Sequence, residues 1–86
     1  MILQIVAIRD IKADVYAQPY FVGSLGGAIR SFGDECRRIA PDNLMYNHPE
    51  DFELYELGTY DDANATFNLI KPRQISCGGN YKTSKE

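Results

Sequence analysis

The chain has no tryptophan, two cysteines and a single histidine in 86 residues. Cys36 and Cys77 stand too far apart for a zinc or redox motif, and read as free thiols of a reducing compartment. With His48 alone, no paired-histidine metal motif exists, and no EF-hand loop is present either. No apolar run approaches the ~20 residues that a membrane-crossing helix needs. The opening stretch, Met1 to Ile8, lacks a basic leader region and a small-residue cleavage site, and it alternates like a strand. The expectation is a cytoplasmic protein with no membrane partner. Positive charge is also scarce where most of the chain lies: residues 1–70 hold five Lys/Arg against eleven Asp/Glu, net −6. Residues 71–86 hold Lys71, Arg73, Lys82 and Lys85 against Glu86, net +3. An acidic body repels phosphate at long range, so any nucleic-acid binding must come from a local patch.

What the chain does contain is apolar and aromatic: 44% hydrophobic residues, with six Tyr and four Phe. That composition is globular, and the length gives one small domain near the lower limit for an adequate core without a metal, disulfides or a partner. Self-association as a homodimer is one way to add buried surface.

Leu3 to Asp10 is apolar on both faces by its centre and reads as a central strand. Val15 to Val22 is rich in strand formers, but Pro19 cannot donate to a ladder, so the segment reads as an edge strand or an extended approach to a helix. Ser24 is placed to cap that helix, whose apolar positions Leu25, Ala28, Ile29, Phe32, Cys36 and Ile39 recur at steps of three and four until Pro41. Its other face carries Arg30, Asp34, Arg37 and Arg38. Asp42 to Asn47 reads as a loop, and His48 to Asp51 as one helical turn opened by Pro49. Phe52 to Tyr60 is a strand whose apolar phase shifts, which predicts either burial on both faces or a bulge near Gly58. Asp61 to Ala65 is a hairpin turn, and Thr66 to Ile70 pairs back until Pro72.

The predicted fold is therefore α+β: a two-layer sandwich in which a three- to four-stranded, mainly antiparallel sheet carries one amphipathic helix on one face. Residues 1–75 make the domain, and residues 76–86 an irregular, partly mobile basic tail. The uncovered sheet face is solvated or covered by another copy. Tyr16, Tyr20, Tyr46, Tyr55 and Tyr60 are candidates for it.

Candidate chemistry is thin. His48, Glu50, Asp51, Glu53, Asp61 and Asp62 form an acidic tract, but neighbours on a strand alternate faces and do not converge on a cation. Cys77 with His48 lacks the base or helix terminus that a nucleophile requires. Gly23-Ser24-Leu25-Gly26-Gly27 opens a helix without the Lys-Ser/Thr ending of a P-loop. The expectation is a non-enzymatic protein without metal or cofactor. Two binding surfaces are candidates. For nucleic acid they are Arg30, Arg37 and Arg38 on the helix, with Lys71, Arg73, Lys82 and Lys85 in the tail. For a protein partner they are Tyr55, Tyr60, Asp61 and Asp62, aromatic anchors with a charged rim.

Three phrases in order carry a family resemblance: Tyr16-Ala17-Gln18-Pro19-Tyr20-Phe21, then Gly27-Ala28-Ile29-Arg30-Ser31-Phe32, then the long block from His48 to Asp61, His-Pro-Glu-Asp-Phe-Glu-Leu-Tyr-Glu-Leu-Gly-Thr-Tyr-Asp. Together they resemble the small nonstructural protein of gokushovirus-type Microviridae, phages with a circular single-stranded DNA genome. The resemblance spans about residues 1 to 75. It implies an accessory protein of the infected bacterial cytoplasm, acting in DNA replication or packaging, with single-stranded DNA or phage and host replication or packaging proteins as partners. It supplies no catalytic residues, and it does not extend over the tail.

Overall fold

The computed structural model describes residues 1–82. The elements run β1 (Ile2–Asp10), β2 (Val15–Tyr16), β3 (Tyr20–Val22), α1 (Leu25–Arg37), α2 (Leu44–Asn47), a 3-10 turn (Pro49–Asp51), β4 (Phe52–Asp61), β5 (Thr66–Cys77) and a second 3-10 turn (Gly78–Tyr81). All strand pairs are antiparallel. β1 is central, pairing along its whole length with β4 on one side and with both β2 and β3 on the other. β5 lies outside β4 and forms the far edge of the sheet. This is the expected α+β architecture of a helix on one face of a mainly antiparallel sheet, with the extended segment around Pro19 divided into two short edge strands.

The helix forms as its pattern predicts. The Ser24 hydroxyl accepts a hydrogen bond from the Gly27 N–H at 3.0 Å, capping the first turn. Ala28, Phe32, Gly33 and Cys36 form its buried stripe. That stripe meets Val6 and Leu54 to make the core, with Ile8, Phe52, Ile75 and Tyr81 packed around it. The helix closes at Arg37, before Pro41, because Asn43 intervenes. The Asn43 side-chain amide donates to the Glu35 and Arg38 carbonyls, each at 2.9 Å, and its oxygen accepts from the Met45 N–H at 3.1 Å. One buried asparagine thus ends α1 and starts α2, so the loop expected over 42–47 contains a helical turn instead.

Two more expectations need correction. Pro72 does not stop the last strand, which runs on to Cys77. Between the pairs Glu56↔Arg73 and Gly58↔Leu69, Leu57 faces the three residues Ile70, Lys71 and Pro72, so the proline sits in a bulge of an edge strand where no ladder donor is needed. Nor is the chain irregular from residue 76. Gly78–Tyr81 is a 3-10 turn, and the Tyr81 ring lies against Gly33 and edge-on to Phe32, 6.2 Å between centroids. Within the described residues, the segment after 75 closes one end of the core.

Candidate binding surface

The core cluster draws its strand residues mostly from one half of the sheet: Val6 and Ile8 of β1, Phe52 and Leu54 of β4, and Ile75 of β5, the exception being Val22 of β3, which pairs with Gln4. The other half, Ile2–Ile5 with 57–61 and 66–70, supplies none of them. Directly paired residues share a face in a sheet, so register assigns the sides of this half. Gln4, Thr59 and Asn68 are aligned on the side that bears the helix. Leu3, Tyr60 and Phe67 are aligned on the opposite side, followed by the row Ile5, Gly58 and Leu69, with Phe21 paired to Ile5. This half of the sheet is mainly polar on the helix side, where Val22 and Ile2 are the apolar members, and apolar and aromatic on the other.

The bulge at Leu57 creates that arrangement. Val6 pairs with Glu56 but Ile5 with Gly58, so β4 holds one extra residue there, and its phase reverses. Without the extra residue, Tyr60 would fall on the helix side. Gly58 takes φ +143°, a region open only to glycine, and a Cβ there would strike the Asn68 carbonyl oxygen. The bulge lies where the sequence allows it, at the phase shift before Gly58.

The result is a groove of about 390 Å³ lined by Ile5, Phe21, Leu57, Phe67, Leu69 and Ile70, together with Pro19 and Pro72. Phe21, Tyr60 and Phe67 form an aromatic cluster on it, with centroid separations of 5.6 Å for Phe21–Tyr60 and 4.7 Å for Tyr60–Phe67. Phe67 is 55% and Leu69 70% exposed, values that no core side chain shows. Large contiguous apolar surface of this kind marks an interaction site.

The predicted protein-contact residues are not one patch. Tyr60 belongs to the aromatic cluster. Tyr55 belongs to a polar group at the other end of the same face: it stacks edge-on with Tyr16 at 5.3 Å and donates to Glu53 Oε1 at 2.9 Å. Desolvation, then that carboxylate, push its phenol above the ordinary tyrosine range. Arg9 joins the group, pairing with Asp14 and Glu53 and lying over the Tyr16 ring at 5.7 Å. Asp61 and Asp62 are at the hairpin turn. Asp61 accepts from the Ala63 N–H at 3.0 Å, and Asp62 bonds the chain's terminal ammonium at 2.8 Å, raising the pKa of that amine.

The predicted nucleic-acid residues are also divided, and most are neutralised locally. Arg30 and Arg37 project from α1 and Arg38 is its C-cap; Arg37 pairs with Asp34 and lies over the Tyr81 ring, and Arg38 pairs with Glu35 at 2.7 Å. The Arg38 hydrogen bonds hold the Glu35 carboxyl below its usual range. Arg73 pairs with the buried Glu56, and Lys82 lies 4.0 Å from Glu50. Among the described residues only Arg30 and Lys71 of this set have no acidic partner, and they stand on different elements. Lys85 lies outside the described residues. The described residues hold no cluster of three metal-ligating side chains, and none of their helices is long and apolar enough to cross a membrane.

Phe67, Leu69 and Ile70 were not among the sequence candidates, although a signal existed. The last strand of a hairpin series falls at an edge, and an edge strand with Phe-x-Leu-Ile has more apolar surface than one helix on the opposite face can cover.

Fold and surface together define a small α+β domain with its helix on one side and an open apolar sheet face on the other. The chain belongs to the Phage ORF5 protein family, whose model matches residues 3–81, and is thus a phage protein. No curated protein and no solved structure matches it.

Proposed function

We propose that this phage ORF5 protein is a non-enzymatic accessory protein that serves replication or packaging of a single-stranded DNA genome, in the bacterial cytoplasm, by holding a phage or host protein on the apolar half of its sheet. The observation that carries this reading is the two-sidedness of that half: Gln4, Thr59 and Asn68 on the side of the helix, Phe21, Tyr60, Phe67 and Leu69 on the other. Strand residues alternate at no cost to the fold, so an uncovered apolar face needs a reason outside the monomer. Aromatic anchors around a groove, with charge kept to the rim, match the anatomy of protein interfaces. The genome type and the stage of infection rest on the resemblance to gokushovirus-type nonstructural proteins.

A second reading, direct but weak contact with single-stranded DNA, draws support from one feature. Tyr60 and Phe67 offer rings for base stacking, and Lys71 stands beside the groove residues Ile70 and Pro72 without an acidic partner among the described residues. The net −6 of residues 1–70 and the paired arginines limit such binding to low salt. Affinity capture from nuclease-treated infected cells separates the two. Replication or packaging proteins held by the wild type and lost with Phe67→Ser support the protein reading. Release of all partners by nuclease, or an unchanged set with Phe67→Ser, would remove it.

A further inference from the structure

The far edge of the sheet is unusually long for an unpaired edge. β5 has twelve residues, of which Thr66 to Gln74 are exposed throughout. Backbone N–H and C=O groups alternate sides along a strand, so half of those in β5 point away from β4 with no ladder partner among the described residues. Natural sheets blunt such edges with charge, proline and bulges. Here those devices are confined to Lys71, Pro72 and Arg73, and the stretch Thr66-Phe67-Asn68-Leu69-Ile70 carries none. The protected part and the open part lie side by side on one strand.

We propose that two copies of this chain join through β5, pairing Thr66–Ile70 antiparallel about a two-fold axis at Asn68. This register follows from charge and apolar complementarity. It sets Phe67 against Leu69 of the second copy, twice, on the apolar face. It sets Thr66 against Ile70 and runs Lys71 past Ala65, beside the acidic turn Asp61-Asp62 of the second copy, where Asp62 already holds the terminal ammonium and Asp61 is the carboxylate with no cation among the described residues. Both cation-to-turn contacts form at once because the interface is self-complementary. Two registers further along the strand are worse. A two-fold at Pro72 would place Lys71 against Arg73, like charge on like charge, and would need a donor from a residue that has none. A two-fold at Ile70 would place Arg73 against Phe67 and Lys71 against Leu69. Of these three registers, the one at Asn68 brings Phe67 onto Leu69 and Lys71 towards the acidic turn.

A two-fold of this kind stands perpendicular to the sheet, so the two apolar faces end on the same side of one continuous sheet. The grooves over Gly58 then flank a common centre, and the dimer offers a doubled platform. Phe67 and Leu69 serve both the seam and the platform, so sedimentation and crosslinking of the purified chain read the dimer, and capture from infected cells reads the partner.

Sedimentation equilibrium on the full chain is the primary test, with twice the 9.7 kDa chain mass expected. Asn68→Cys, in a Cys77→Ser background, reads the register. Directly opposed residues of an antiparallel pair have Cα atoms ~4.5–5.5 Å apart, within the range a disulfide spans. It should give a covalent dimer on mild oxidation, whereas Thr66→Cys, which faces Ile70, should not. Lys71→Glu should weaken the dimer about tenfold and reduce its salt dependence. A monomer at all concentrations overturns the proposal, as does crosslinking of Thr66→Cys at the rate of Asn68→Cys.

Discussion

Replacing Gly58 with alanine should be among the most damaging single changes in this chain, although it adds only one methyl group. Two costs combine. Gly58 sits at φ +143°, where a Cβ-bearing residue is held at a cost of about 1–3 kcal/mol. The new Cβ would also meet the Asn68 carbonyl oxygen, and the Leu69 Cα at 2.8 Å, both backbone atoms that no rotamer change can move. Forcing β5 away from β4 costs about a further 1–3 kcal/mol by analogy with overpacked cores. The sum, about 4 kcal/mol, compares with the ~5–10 kcal/mol total expected of a domain this size. It corresponds to a melting temperature lower by roughly 15–30 °C. Urea unfolding followed by far-ultraviolet circular dichroism measures it, with Gly26→Ala as the contrast. Gly26 lies in α1 with nothing within 4 Å of where a Cβ would stand, so alanine there should stabilise by up to ~1 kcal/mol. A Gly58→Ala protein within about 1 kcal/mol of wild type would refute the bulge as the element that fixes the phase of β4.

Two further predictions follow from the other end of the sheet. Asn43→Ala removes an N-cap and leaves the Glu35 and Arg38 carbonyls short of a donor, and should cost about 2 kcal/mol in the same assay. Burial pushes the Cys36 thiol up from 9.0 to about 11. Because the folded value is the higher, the stability from the neutral thiol is complete below pH 9 and is lost as the pH rises through 11; Cys36→Ala should lack this alkaline decline, seen as a shift in urea midpoint with pH.

Much of the fold was legible because its signals are local. The Ser24 cap and the spacing of Ala28, Phe32 and Cys36 define the helix, and the phase shift before Gly58 marks the bulge. What was not legible depends on partners distant in sequence. Pro72 reads as a stop until β5 is known to be an edge, where a bulge accommodates it. Tyr81 reads as part of a loose tail until Gly33, 48 positions earlier, is seen to leave room for its ring. The candidate surface failed for the same reason. Tyr60 was visible within the acidic tract, but its neighbours Phe21 and Phe67 come from strands on either side, and only the register assembles them. Asp34 and Glu35 stand beside the helix arginines in the sequence, so those pairs were legible, whereas the pairing of Arg73 with Glu56 needs the register of β4 and β5.

If the apolar half of the sheet is the working surface of this phage protein, stripping its exposed side chains must cost the phage progeny. The most direct measurement is the progeny released per infected cell by phage encoding Phe67→Ser with Leu69→Ser. Both side chains are largely exposed, so the purified variant should melt within a few degrees of wild type. Progeny should fall sharply while the folded variant accumulates normally. Wild-type yield from phage carrying that folded variant would contradict it.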